Sequence, residues 1–571
     1  MATSASGILT LLFLIFIGPL IYLGRYFLRK RQDTPERNVL VAEDGREVLE
    51  TREYMFALIG YAIGIGNVWR FPYVISQNGG TAALVAYIIC AVLVSVPLFL
   101  YEMIVGQYTG LSTIPTYNKI RPRWLSFGFA QALMLFLVQS YFSMIIAYTL
   151  PYIAASCQDP LPWLDSSEEY WKVTVLNKFD DLDDKPAGLG PIQPKLALSL
   201  FIVCCITYFS IAFGKKILAQ VTYVTVIMPI ILIIIFVIRT AFLPGAGAGI
   251  QFYIGKFEGR ELLSLNVWAT ALSQILFSLS PGFGTAITYS SFAKPKEDVF
   301  KICMIVAVTN SVFSIIGGFG IFAMVGNMAF KDGVSVAEKA KSGGPGLAFI
   351  VIAEAMDSFG VFKNLMAVLF FVMLLTLGLD SAFAWTETLV SIMDDTMAMK
   401  GYNRLPTWKS SLIVSTALFL VGLVYTTRMG NEVLDVVDHY VGILFLLVIC
   451  FIESIIFNID FGWERLEKAL QSATRGLVGL PEGRSLFPKY LCRLDFHFTV
   501  PVMTFGLALF TFVNDLQTPY EGYPSGLLAF GWTLLALFFA TLFVTMWKTE
   551  QGQLPPIEDD DKFKVEEEIV A

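Results

Sequence analysis

Two long apolar runs in this chain are interrupted by residues that a membrane-spanning helix normally avoids. Residues 54–78 break at Gly64-Ile65-Gly66-Asn67 and continue into Arg70-Phe71-Pro72. Residues 262–292 break at Ser278-Leu279-Ser280-Pro281-Gly282-Phe283-Gly284. Hydrocarbon offers no partner to a free N–H or C=O, so unwound backbone at that depth must be buried in protein or line a cavity. Two such breaks, each in the first helix of a five-helix block, point to a solute site at the centre of a secondary transporter.

The rest of the chain fits that frame. It has 571 residues, 56% of them apolar and 14% aromatic, as expected for an all-α polytopic membrane protein. A spanning helix needs about 20 predominantly apolar residues. Thirteen runs qualify: 8–28, 54–78, 82–106, 127–156, 195–213, 217–242, 262–292, 299–328, 361–392, 407–425, 434–458, 498–515 and 524–547. The two histidines and seven scattered cysteines argue against a zinc site or a disulfide scaffold. The net charge of −7 comes partly from the tail acids Glu558-Asp559-Asp560-Asp561 and Glu566-Glu567-Glu568, and implies neither a nucleic acid nor another charged partner. No catalytic triad, metal cluster or phosphate loop is present, so the chain does not read as an enzyme.

Cationic loops set the orientation. Lys119, Arg121 and Arg123 follow the third run, Lys215 and Lys216 the fifth, Lys294 and Lys296 the seventh, and Lys400 and Arg404 the ninth. All fall on one side, which is therefore cytoplasmic. The acidic loop 157–194 lies opposite. The run 8–28 has no basic residue before it and Arg25, Arg29, Lys30 and Arg31 at its end, so it reads as an extra helix entering from outside rather than a cleaved signal. The expected division is 1–53 for that helix and a linker, 54–458 for a core of two inverted five-helix blocks, and 459–497 for a long cytoplasmic loop. Two last helices then occupy 498–547, and 548–571 is an acidic cytoplasmic tail. Residues 347–359 are too short to cross and read as an external hairpin, and Trp463–Lys468 reads as an interfacial amphipathic helix.

The first break offers free carbonyls and the Asn67 amide, the second Ser278 and Ser280. Asn310 and Ser314 share a helix face four residues apart, and Asp380-Ser381 sits inside an apolar helix. Oxygen donors without thiol or imidazole suit a hard cation such as sodium. Ionisable groups inside spans are functional candidates by default. Of these, Glu102, Glu387 and Glu453 read more simply as structural polar groups.

The ordered segments Gly60-Tyr61-Ala62-Ile63-Gly64-Ile65-Gly66-Asn67-Val68-Trp69-Arg70-Phe71-Pro72, Gln77-Asn78-Gly79-Gly80, Ser280-Pro281-Gly282-Phe283-Gly284 and Leu377-Gly378-Leu379-Asp380-Ser381 resemble the neurotransmitter:sodium symporter family, from about residue 52 to 547. The resemblance implies the leucine-transporter fold: a 5+5 inverted repeat with broken first and sixth repeat helices, plus two C-terminal helices, here with an extra N-terminal one. It also implies sodium-coupled uptake in the plasma membrane. One sodium site would use Ala62, Asn67, Ser278 and Asn310; the other Gly60, Ile63, Leu377, Asp380 and Ser381. The solute would lie among Tyr61, Ala62, Gly64, Ile65, Gly66, Val138, Gln139, Phe142, Phe277, Ser280, Phe283, Ser381 and Trp385. The outer gate would be Arg70 with Asp438 over Phe283 or Phe277, the inner one Asp395 with Arg46.

Chloride would be held by Tyr87, Gln274, Ser278, Asn310 and Ser314, none of which carries a negative charge. Three positions, Phe142, Leu49 and Trp385, depart from the family. Phe142 stands where a substrate-contacting tyrosine is usual, with Gln139 as a substitute donor. Leu49 replaces the usual aromatic after the inner arginine. Amine carriers of the family place an aspartate at the Gly64 position, so a solute that brings its own carboxylate is expected here. Trp385, filling space between Val138 and Phe283, implies a small one. The opposing class is a non-transporting or trafficking membrane protein that keeps the fold; a channel fits paired gates poorly.

Overall fold

A computed structural model describes residues 48–550 apart from 69, 165, 179–187, 256, 258, 295–296, 343–348 and 474–494, together with 552 and 554. The expected helix 8–28 and the gate residue Arg46 lie outside the described residues.

Among the described residues, ten helices are long and apolar enough to cross a membrane. The two interrupted ones bring the spans among the described residues to twelve, matching the runs read from 54 onward. The first break separates α1 (Thr51–Ala62) from a single turn, α2 (Ile65–Val68), and α3 (Arg70–Gln77). Then come α4 (Thr81–Thr109), α5 (Thr113–Ile120), α6 (Pro122–Ala155), α7 (Pro194–Ala212), α8 (Lys215–Ala241) and α9 (Ala246–Ile254). The second break separates α10 (Leu265–Leu279) from α11 (Thr285–Ser290). The remainder is α12 (Val299–Asp332), α13 (Lys363–Met399), α14 (Thr407–Thr426), α15 (Gly430–Lys468), α16 (Asp495–Gly522) and α17 (Ser525–Phe543).

The broken helices are the hub. α1 packs against α8 and α13, while α10 and α11 pack against α4. Each break has a local cause. α1 ends where Ile63 turns extended (φ −86°, ψ 90°). α10 ends at Ser280, which is left-handed (φ 54°), followed by Gly282 and Gly284 at φ 84° and 70°. A Cβ on Gly282 would stand 2.8 Å from Cys450 Sγ, and one on Gly284 would press still closer on Thr113 Oγ1. Only glycine meets both the backbone angle and the space.

Two outer stretches gain detail. The 347–359 stretch, where described, is a short helix, Val351–Ala355, leading into a 3-10 turn before α13. The helix expected at Trp463–Lys468 is present and continues directly from the preceding span, past residue 459 where the cytoplasmic loop was expected to start. Trp463 and Leu466 are buried there against α4 and α12, while Glu464 faces out, so packing of one apolar face extends the helix.

Candidate functional site

The two breaks meet. The Tyr61 hydroxyl donates to the Ser280 carbonyl at 2.6 Å, which makes Tyr61 a brace between the interruptions. Ser280 Oγ is turned back onto the Phe277 carbonyl at 2.6 Å.

The second break has its polar backbone satisfied from outside. Glu102 Oε1 on α4 accepts from the Gly282 and Gly284 amides at 3.2 and 3.1 Å. Gln131 Nε2 donates to the Gly282 carbonyl at 2.7 Å, and Thr113 Oγ1 to the Gly284 carbonyl at 2.9 Å. Glu453 accepts from the Tyr117 hydroxyl at 2.5 Å and from Gln131 at 3.2 Å. Glu102 and Glu453 are therefore the structural polar groups the sequence suggested.

The first break is held more sparsely. The Gly64 amide donates to its own neighbour Asn67 Oδ1 at 3.3 Å, and Ser381 Oγ to the Tyr61 carbonyl at 3.1 Å. A Cβ on Gly64 would lie 2.9 Å from Ser381 Oγ and 4.0 Å from Phe142 Cζ, whereas one on Gly66 would meet nothing within 4 Å. At Gly64 the backbone is therefore closely approached by Ser381, while at Gly66 the space beside the unwound segment is open.

Two groups of oxygen donors flank that space. In the first, Asn67 Nδ2 donates to Asn310 Oδ1 at 2.6 Å and Ser314 Oγ at 2.9 Å; Ser278 Oγ donates to Asn310 Oδ1 at 3.1 Å. Ala62 is buried just ahead of Asn67. In the second, Asp380 lies beside Gly60, whose Cβ would stand 3.4 Å from its Cγ. Ile63, Leu377 and Ser381 are likewise buried. The Asp380 side chain accepts a hydrogen bond from Thr225 on α8 and makes no ion pair among the described residues. A buried carboxylate without a cation is costly, so a site of this kind suits a hard cation as its missing partner. Sequence reasoning missed Thr225; its only signal is a hydroxyl within the apolar run 217–242.

Behind the first group the Tyr87 hydroxyl faces Ser278, Ser311 and Ser314 and is buried without a hydrogen-bond partner; Gln274 Oε1 is likewise unpartnered. Ser311 is a second addition from the structure. No acidic side chain belongs to this cluster.

Aromatic rings close the junction. Trp385 stacks parallel to Phe283 at 5.5 Å and meets Phe142 edge-on at 4.7 Å; Phe277 lies 6.3 Å from it. Val138 and Ile65 are buried nearby on α6 and α2. Gln139 departs from expectation. Its Nε2 donates to Thr386 Oγ1 at 3.2 Å, Ser143 Oγ at 3.3 Å and the Ala382 carbonyl at 3.4 Å, so it serves the α6–α13 seam and is no substitute donor beside Phe142. Three residues along a helix leave two side chains about 60° apart around the axis, enough to give them different neighbours.

Above the rings, Arg70 Nη1 pairs with Asp438 Oδ2 at 3.5 Å, and the Tyr141 hydroxyl donates to Asp438 Oδ1 at 2.5 Å. The guanidinium lies 5.1 Å from the Phe277 ring, so Phe277, rather than Phe283, sits beneath the outer pair. Asp438 opens a π-helical stretch of α15, a distortion common at functional positions. On the inner side Asp395 pairs with Arg404 at 2.8 Å and accepts from the Ser112 amide at 3.0 Å. Leu49 is buried, its amide donating to the Phe292 carbonyl at 2.9 Å.

Comparison with known proteins agrees with this geometry. The model of the sodium:neurotransmitter symporter family matches residues 46–181 and 164–551. The chain is 34% identical over 445 aligned positions to a sodium-dependent serotonin transporter of Drosophila melanogaster, covering 73% of this chain and 70% of the relative. It is 31% identical over 547 positions to a sodium- and chloride-dependent glycine transporter 2 of Xenopus laevis, covering 85% and 66%. It is 29% identical over 570 positions to a sodium-dependent nutrient amino acid transporter 1 of Drosophila yakuba, covering 88% and 86%. An all-α, multi-pass chain with two interrupted spans meeting at paired oxygen-donor sites, this protein belongs to the sodium:neurotransmitter symporter family.

Proposed function

We propose that this sodium-coupled transporter takes up a small zwitterionic amino acid together with chloride, by alternating access in the plasma membrane. One observation carries the substrate reading. The solute-facing side of the first break has no side chain at Gly64, where Ser381 and Phe142 are the neighbours and no acid is present to meet an amine. The negative charge beside the Asn67 sodium site then comes from the solute, as a carboxylate. The packed Phe142–Phe277–Phe283–Trp385 cluster supports a small solute side chain, of the size of hydrogen, methyl or a proline ring.

Chloride follows from the neutral cluster around Tyr87. An unpartnered buried hydroxyl among hydroxyls and amides supplies donors but no anion of its own. The relatives named for glycine and nutrient amino acids are consistent with this reading. In the mechanism, sodium and solute complete the first break, Arg70 and Asp438 close outside, and the 54–458 core rocks until Asp395 is released inside.

The test is uptake by proteoliposomes of labelled glycine, alanine, proline and serotonin, with sodium chloride or sodium gluconate outside. Uptake of a small amino acid that falls sharply in gluconate supports the reading. Serotonin exceeding every amino acid, or full uptake in gluconate, overturns the corresponding half.

A further inference from the structure

The aromatic cluster over the break contains one polar group. Trp385 is 2% exposed, and the rings around it belong to Phe142, Phe277 and Phe283. Its indole Nε1–H is buried with no hydrogen-bond partner among the described residues. Buried indole N–H groups ordinarily find an acceptor, and an orphan donor forfeits its water without recompense. An orphan in the wall of a binding site is explained when its partner arrives with the ligand.

Its surroundings identify the ligand group. The phenyl ring of Phe142, 4.7 Å from the indole, has no donor, and its Cζ lies 4.0 Å from the Cβ position of Gly64, at the break itself. Gln139, the nearest amide on α6, is occupied with Thr386, Ser143 and the Ala382 carbonyl. The indole is thus the one donor that the ring cluster presents beside the break, and a donor-only N–H pairs most strongly with an ionised acceptor such as a carboxylate. We propose that Trp385 Nε1–H donates to the carboxylate of the transported solute, so that one side chain both limits solute size and reads its acid group. This rests on the zwitterion reading above.

The test compares wild type, Trp385→Phe, Phe142→Tyr and the double variant in proteoliposomes. The probe is whichever of labelled glycine, alanine or proline the wild type takes up best, and its carboxamide serves as competitor. Trp385→Phe should raise the KM for the acid roughly 10- to 100-fold, the loss of one hydrogen bond to a charged group, and should weaken the carboxamide far less. Adding Phe142→Tyr, which sets a hydroxyl at the ring edge facing Gly64, should restore the KM to within a few-fold. If acid and carboxamide weaken equally, the indole acts by packing and the proposal falls. Wild-type uptake with Trp385→Phe unchanged also overturns it while leaving the zwitterion reading intact. If the wild type takes up none of the three, that reading fails and this proposal fails with it.

Discussion

The two helix breaks meet through Tyr61 and Ser280 yet are held in opposite ways. In the second, protein side chains meet the backbone groups of both glycines: Glu102, Gln131 and Thr113 bond to Gly282 and Gly284. The first keeps open space at Gly66, a bare Gly64 and a carboxylate, Asp380, that makes no ion pair among the described residues. One break is a fixed anchor. The other is the break that the proposed function completes with ions and solute.

Removing the anchor should have the largest effect. Glu102→Ala strands two buried amides, at a cost of about 2–6 kcal/mol, and should lower the melting temperature strongly in sodium-containing and sodium-free buffer alike. Glu102→Gln, which keeps an acceptor, should lose less. Equal stability of wild type and Glu102→Ala would show that the second break is not held as described.

Matched glycine substitutions sharpen the contrast. Gly282→Ala forces a Cβ into left-handed backbone 2.8 Å from Cys450 Sγ, and should destabilise by about 1–3 kcal/mol. Gly66→Ala meets nothing in the structure and should shift stability by less than about 1 kcal/mol while reducing uptake, because its methyl occupies the solute's space. The comparison is reversed if Gly66→Ala melts early and transports normally.

Two smaller effects concern the ions. Asp380→Asn removes the charge that the proposed sodium ion would neutralise, and should raise the sodium concentration for half-maximal uptake at least about tenfold. A smaller shift than about threefold would take Asp380 out of the site. Ser314→Glu places a covalent negative charge beside Tyr87, and should leave uptake in sodium chloride within a few-fold of wild type while restoring it in gluconate. Continued chloride dependence in that variant would separate Ser314 from the anion.

The breaks are legible in the sequence because glycine, proline and serine clustered in an apolar run weaken a spanning helix, and lipid punishes the backbone groups they free. The twelve described spans are legible because lipid also imposes a length. What escapes the sequence is tertiary. Gln139 and Phe142 share one helix stretch, and only the position of α13 shows that the amide belongs to Thr386. Thr225 looks like any hydroxyl in a span until α8 brings it to Asp380. Arg404 reads as a loop cation that sets orientation, yet it is the partner Asp395 has among the described residues. The acids Glu102 and Glu453 can be read as structural, but nothing in the chain order ties Glu102 to two amides about 180 residues away. The amphipathic helix at Trp463–Lys468 is legible, but its direct continuation from the preceding span is not, because such a stretch folds back, ends or continues according to what it meets.

The central claim is that ions and solute complete the first break. Its most direct test is uptake of labelled glycine, alanine and proline by proteoliposomes under an imposed inward sodium gradient, wild type against Asn67→Ala. The account predicts concentrative uptake of at least one of them by the wild type, abolished when choline replaces sodium. Asn67→Ala should be inactive and should also lose the sodium-induced rise in melting temperature. Undiminished uptake in choline, or an Asn67→Ala protein that transports as the wild type does, would contradict it.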